Sequence, residues 1–299
     1  MNKIYFAPME GITTPAFRKV HKKYFKGIDK YFSPFIVVTS THNLKKRETR
    51  EYTPFEENMV PQILTTRGAD FAWAAKMLKE LGYEEVNLNL GCPAATVVTK
   101  RKGSGLLRDK DKLRKFFEET FAEPDLPDIS IKTRCGFLYH EEAANLAEIF
   151  ADFPFKEIIV HPRVREEFYL GDPNLESFRI IREGGKCPVI YNGDVFDVPS
   201  LESHLAEGGV MLGRGLLRNP MLAERKEFDP SDSRIESFLD ELYDEYMQVM
   251  SGERDVLFKL KELWTYLIVN YPDKTAEYKR LMKSSTGADY KSAVRSILH

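Results

Sequence analysis

The stretch EEVNLNLGCPAATVVTKRKGSGLL, residues 84–107, holds the side chains best suited to chemistry. Apolar alternation at Val86, Leu88 and Leu90 marks a buried strand. That strand runs straight into Gly-Cys-Pro and then into a basic loop containing glycine. Asn89 stands three residues before Cys92, a thiol that the turn lifts out of the sheet. Lys100, Arg101 and Lys102 follow. A thiol at a strand's mouth, beside a side-chain amide and a cationic loop, suits chemistry on a polar heterocycle attached to an anion. The competing interpretation is a structural cysteine that packs as a small apolar residue in a tight turn. This stretch alone does not separate the two.

The elements that must position these residues recur along the chain. Short apolar runs occur at 4–7, 30–35, 60–64, 85–90, 129–133, 157–161, 188–192 and 209–213. Helix-like stretches separate most of them, among them 70–81, 110–120 and 141–150. The C-terminal ends of the runs fall near positions 9, 35, 62, 89, 132, 161, 192 and 213, spaced as a strand, a helix and two loops require. Eight such units predict an α/β fold, a (β/α)8 TIM barrel, rather than an open doubly wound sheet. The usual dinucleotide-binding glycine pattern after the first strand is also absent. The second run ends at Pro34, and segment 36–58 shows no clear period. The expected division places the barrel in 1–228 and a helical domain in 229–299. In the latter, Ile235, Phe238, Leu239, Leu242, Tyr243 and Tyr246 keep helical spacing, as do Leu257, Leu260, Leu263, Trp264 and Leu267.

In such a barrel the reactive groups lie at the C-terminal ends of the strands. These ends carry Pro8, Met9 and Glu10; Gln62; Asn89 and Cys92; Lys132 and Arg134; His161 and Arg163; Asn192, Gly193 and Asp194; and Gly213, Arg214 and Gly215. A lone polar residue at a strand end is commonly a satisfied buried group, but seven ends of eight carry one here. Glycines at 193, 213 and 215 leave backbone N–H groups open to an anion, and Arg214 adds charge, at the loops where barrels hold phosphate. Gln62, Asn89, Lys132 and His161 are donors suited to a flat, carbonyl-rich ring. A phosphorylated flat heterocycle makes FMN the leading cofactor expectation, with Lys132 placed to favour negative charge on the reduced ring.

Composition narrows the classes further. The 299 residues are 42% hydrophobic and 30% charged, as in an ordinary globular protein, and show neither a bilayer-length apolar run nor a signal-peptide core. The three cysteines form no metal-ligand spacing, and the six histidines show none either, so no metal site is expected. Sparse, odd-numbered thiols suit a reducing compartment, so a cytoplasmic location is expected, with no membrane association. The net charge of −2 does not advertise nucleic-acid binding, so any polyanion would meet a local patch. Residues 229–253 hold eight acidic side chains and one basic, whereas 254–299 hold nine basic and five acidic.

The segments APMEGITTPAFR, VPQIL, NLNLGCPAATV, GSGLL, IKTR, VHPRVREEFYLG, VIYNGDV and VMLGRGLLRNP occur in order through residue 220. Together they resemble the tRNA-dihydrouridine synthase family, and KLKELWTYL in the tail resembles that family's tRNA-binding lobe. The resemblance implies an FMN enzyme that takes hydride from NADPH and reduces the C5=C6 bond of a uridine in tRNA; separately, a monomer that requires no protein partner is expected. It implies Cys92 as proton donor and flavin contacts at Pro8, Met9, Glu10, Gln62, Lys132, His161, Asn192, Gly193, Asp194, Gly213 and Arg214. Uracil contacts are implied at Asn89 and Arg134. Lys100, Arg101 and Lys102 are expected to hold neighbouring phosphates, joined by Lys259, Lys261, Lys279, Arg280 and Lys283 of the tail. The chain departs from the family at His161-Pro162-Arg163, where glycine is usual, at Ser33-Pro34-Phe35, where a Thr-Glu pair is common, and at AEGGVMLGRG. An FMN barrel acting on a free pyrimidine, like dihydroorotate dehydrogenase, remains an alternative, as does a non-enzymatic RNA-binding barrel.

Overall fold

The computed structural model describes residues 3–299. Ten short strands make one sheet: β1 (Lys3–Phe6), β2 (Lys30–Phe32), β3 (Ile36–Val37), β4 (Met59–Val60), β5 (Gln62–Leu64), β6 (Glu85–Leu90), β7 (Asp128–Gly136), β8 (Ile158–Val164), β9 (Val189–Tyr191) and β10 (Gly209–Leu212). Every pairing is parallel. The order is β3-β5-β6-β7-β8-β9-β10-β1-β2-β4. Its two ends belong together, because β4 and β5 flank Pro61 and β2 and β3 flank Pro34. Proline has no N–H to donate, so each breaks the ladder without ending the strand. Ser33 Oγ accepts from the Gln62 N–H at 3.0 Å and bridges the gap. Counted this way, eight strands close into the expected barrel. Its interior is filled by Tyr5, Ala7, Phe32, Val60, Ile159, Ile190 and Met211, all buried.

The chain forms two compact units. The first comprises the chain up to Pro8, Asp29–Asp194 and Ser203–Leu212, and holds all ten strands. Its helices include Gly68–Glu80, Lys110–Phe121, Glu142–Ala151 and Leu175–Gly184, close to the sequence expectation. Gly68 lies so near the Phe116 carbonyl that a Cβ there would sit 2.3 Å away, which fixes glycine at this helix contact.

The second unit comprises Met9–Ile28, Val195–Glu202 and Gly213–His299, so it interleaves with the first rather than starting at 229. The physical reason is aromatic packing. Phe238, on the helix Arg234–Val249, meets the rings of Phe17, His21, Tyr24 and Phe25 on and after the helix Pro15–Tyr24. The acidic run of 229–253 is matched by charge: Lys19 pairs with Glu245, Lys23 with Glu241, and Arg234 with Glu224 and Asp232. Deeper in this unit, buried Trp264 donates to the Tyr290 hydroxyl at 3.0 Å. Among the described residues no helix is long and apolar enough to cross a membrane.

Candidate active site

Asn89, the penultimate residue of β6, builds the thiol turn. Its side-chain carbonyl accepts the N–H of Gly91 at 3.1 Å and of Cys92 at 2.9 Å. Its own amide donates to Gln62 Oε1 at 2.7 Å. Gln62 Nε2 then donates to Asn87 Oδ1 at 2.7 Å, and Asn87 Nδ2 to Ser130 Oγ at 2.9 Å. This chain of amides crosses β5, β6 and β7, and inside a barrel each link also prevents a buried polar group from going unsatisfied. Gln62 is fully buried, with its amide oxygen spent on Asn89 and its amide nitrogen on Asn87.

The loop after Cys92 closes over it. Gly103, at φ +55°, lies so close that a Cβ would be 2.9 Å from the Cys92 carbonyl and 3.1 Å from its Cβ. Ser104 donates to the same carbonyl through its N–H and its hydroxyl, at 3.2 and 2.8 Å. Cys92 itself is half-buried and forms no disulfide. The three cations of the loop diverge. Lys100 and Arg101 are exposed, whereas Lys102 turns inward and donates to the Val38 carbonyl at 3.2 Å. Burial lowers the Lys102 ammonium from its ordinary range, and neighbouring Lys100 adds to the shift.

On the neighbouring strand β7, Lys132 is half-buried and makes no hydrogen bond or ion pair with the described protein. Burial pulls its ammonium down to about 8, with the Arg134 charge adding and Cys92 opposing. Arg134 is buried and spends three of its five donors on backbone: Nε on the Gly91 carbonyl at 2.9 Å, Nη1 on Val164 at 2.8 Å and Nη2 on Phe168 at 2.6 Å. The sequence reading assigns Arg134 and Asn89 to uracil; the structure has each of them tying backbone around the thiol. Tyr169 lies with its ring centre 5.5 Å from the Arg134 guanidinium and 5.9 Å from the His161 ring.

His161 on β8 has a defined tautomer. Its Nδ1 lies 2.7 Å from the Asn192 carbonyl, which can only accept, so Nδ1 carries the proton. Its Nε2 then accepts from Arg163 Nη1 at 3.3 Å. Burial, then the charges of Arg134 and Lys132, hold the imidazole well below its usual range, so it stays neutral. Arg163, with no exposed surface, also donates to the Leu170 and Gly171 carbonyls and pairs with Asp194 at 2.6 Å. Asn192 donates to the Met211 carbonyl at 2.7 Å. Gly193 covers the Tyr191 hydroxyl, where a Cβ would come within 2.1 Å, so packing requires this glycine independently of any anion.

Pro8 is half-buried at the end of the first unit's opening segment. Met9, Glu10, Gly213 and Arg214 belong to the second unit. There the Met9 carbonyl accepts from Ile12 and Thr13 in a tight turn, and Glu10 is exposed. Gly213 precedes the short helix Arg214–Arg218, with the Arg214 guanidinium 5.7 Å from the Phe196 ring centre. Gly215 packs on the Val195 carbonyl, where a Cβ would sit at 2.1 Å. In the tail, Lys259 pairs with Glu262 at 3.1 Å and Lys261 donates to the Ser284 carbonyl, while Lys279, Arg280 and Lys283 are exposed.

Sequence reasoning gave no site role to Ser33, Asn87, Ser130 or Ser104, and left Arg163 without a partner. Arg163 stood at a strand end and was visible; the others carry no local signal, because their work appears only once strands are side by side.

Comparison with known proteins follows the same line. Residues 5–295 match the family model described as Dihydrouridine synthase (Dus). A "Probable tRNA-dihydrouridine synthase" of Rickettsia typhi is 32% identical over 228 residues, covering 74% of this chain and 69% of that protein. One from Rhodobacter capsulatus, described in the same words, is 28% identical over 280 residues, covering 88% and 85%. Among solved structures, morphinone reductase superposes with a TM-score of 0.52 at 13% identity, over 78% of this chain and 88% of that one. At that identity the likeness bears on the fold alone.

Proposed function

Because the chain belongs to the dihydrouridine synthase family, we propose that it is an FMN-dependent oxidoreductase that reduces the C5=C6 bond of a uridine in tRNA, with NADPH as reductant. The observation that carries this reading is the pairing of a half-buried thiol, Cys92, just beyond β6, with an unpartnered amine, Lys132, in register with Asn89 on the adjacent parallel strand β7.

The residues present suit a flavin. An amine left half-buried without a protein partner is stabilised by an electron-rich carbonyl or an anionic ring, which would return its pKa upward from about 8. Neutral His161 and the amide of Asn192 give a polar but uncharged wall. Pro8, Lys132, His161, Asn192, Gly193 and Asp194 would hold FMN. Gln62 acts through Asn89. When bound, FMN supplies hydride chemistry, passing reducing equivalents from NADPH to C6 of the base.

The chain's own residues do the rest. The turn locked by Asn89, Gly103 and Ser104 presents the Cys92 thiol as the group placed to donate. Its Sγ–H delivers a proton to C5 of the uracil, and the resulting thiolate recovers a proton from solvent. Arg134 adds positive charge near the developing enolate while holding the Gly91 carbonyl in place. The target base has to leave its stack to reach a barrel mouth, at a cost of a few kcal/mol. Exposed Lys100 and Arg101 are suited to the phosphates beside it.

Purification tests the cofactor directly. The protein is expected to be yellow, to release FMN on denaturation and to be bleached by NADPH under anaerobic conditions. A colourless protein that binds no added FMN would overturn the reading.

A further inference from the structure

The segment after β3 has no part in the chemistry above, yet it is a built surface. Residues 38–50 carry Lys45, Lys46, Arg47 and Arg50, all exposed. The one acid among them, Glu48, is buried and spends its carboxylate on the Lys45 N–H at 2.8 Å. Arg47 reaches it only at 3.9 Å. Lys45, Lys46 and Arg50, like Lys100 and Arg101 across the way, make no ion pair among the described residues.

The loop is fixed from beneath. The His42 ring stacks on Trp73 at 4.2 Å, 5° from parallel, with Nε2 3.2 Å from Asp70. Lys102 reaches across to the Val38 carbonyl at 3.2 Å. These two contacts, Lys102 with Val38 and His42 with Asp70, gather the loops after β3 and β6 and the start of the helix after β5 on one side of the barrel's C-terminal rim. That is the side bearing Cys92.

We propose that Lys45, Lys46, Arg47 and Arg50 form, with Lys100 and Arg101, a docking rim for the phosphate backbone of the RNA flanking the reacting nucleotide. The proposal rests on the function argued above and adds a surface to it. The chemistry favours RNA over a protein partner. Protein interfaces draw their energy from buried apolar and aromatic anchors, and residues 38–50 expose no large apolar side chain. A phosphate backbone asks for exposed cations free of competing acids, which Lys45, Lys46 and Arg50 supply outright and Arg47 through only one long contact, in a chain whose net charge is −2.

The test compares three full-length proteins for binding of an unmodified tRNA transcript, from about 50 to 200 mM salt. These are wild type; Lys45→Ala, Lys46→Ala, Arg47→Ala and Arg50→Ala together; and a charge-matched control with Lys79, Lys112, Lys115 and Arg179 changed to Ala. The rim variant is expected to lose about tenfold in affinity at physiological salt. Its salt slope should be shallower by about 0.7–0.9 for each phosphate contact removed. The control should stay within about twofold of wild type, because its cations leave the proposed phosphate contacts intact. A rim variant that binds like wild type, or a control that loses as much, overturns the rim while leaving the catalytic reading in place. Wild type that does not bind tRNA overturns both.

Discussion

His161 is held neutral by its surroundings, and that has a consequence for stability. With Nδ1–H given to the Asn192 carbonyl and Nε2 facing Arg163, an added proton would meet a donor, and burial penalises its charge. His21, buried among Phe17, Phe25 and Phe238, is pulled down to about 3 by burial, with Glu224 opposing and Lys26 adding. In the unfolded chain both titrate near 6.5. The folded values are lowered, so the unfolded state binds more protons below about pH 6.5. Their contribution is fully present above that pH and is lost as pH falls toward the folded values. Each histidine should cost about 1.4 kcal/mol per pH unit in that window. Urea unfolding at about pH 7.5 and 5.5, above the carboxylate range, should therefore differ by about 2–3 kcal/mol. His21→Leu should shrink the difference by about 1.4 kcal/mol, the share of one histidine, with His204 also lowered by burial, and a flat profile in wild type would contradict the assignment.

At the scale of elements, the thiol turn depends on three strands at once. β6 supplies Asn89 and Asn87, β5 supplies Gln62, and β7 supplies Ser130 and Arg134. Asn89→Ala removes the acceptor of two N–H groups and leaves Gln62 Oε1 without its donor. Stability should fall by about 2 kcal/mol. The uridine-reducing step should slow more than NADPH-driven flavin bleaching, since two of the three lost hydrogen bonds hold the thiol turn. Loss of bleaching would contradict that role. Much of this arrangement was legible in the sequence. Period-two strands ending in amide, thiol and cation predicted which residues share the strand ends, and Gly-Cys-Pro predicted the turn. Less legible was the division of labour: Asn89, Gln62 and Arg134 have chemical types that suit a ligand equally well. Only the register of β5, β6 and β7 reveals that they hold one another and the backbone. Lys102 is a similar case, because nothing in Lys-Arg-Lys says that its third member turns toward Val38.

Over the whole barrel unit, charges are paired at the strand starts, and one amine farther along is left without a pair. At the strand starts, Lys30 meets Glu85 at 2.7 Å and Glu157 at 2.9 Å, Lys156 meets Glu85 and Asp128, and the Tyr5 hydroxyl donates to Glu157 at 2.8 Å. Those charges satisfy one another and stabilise the barrel. Farther along the strands Arg163 pairs with Asp194, but Lys132 on β7 has no such partner, as suits a ligand-binding mouth. The barrel itself was readable because each strand is a local pattern. The second unit's true membership was not, since the packing of Phe238 against a helix more than 200 residues earlier leaves no local trace. Prolines 34 and 61 divide two strands into four pieces for the same reason that the second apolar run was hard to delimit.

The central claim is that Cys92 protonates the base. Its most direct test is Cys92→Ala, incubated with an unmodified tRNA transcript and NADPH, with dihydrouridine quantified by mass spectrometry. The variant should bind flavin and be bleached by NADPH as wild type is, and should form dihydrouridine at least about 100-fold more slowly, the usual scale for a missing general acid. Dihydrouridine appearing at the wild-type rate would contradict the account.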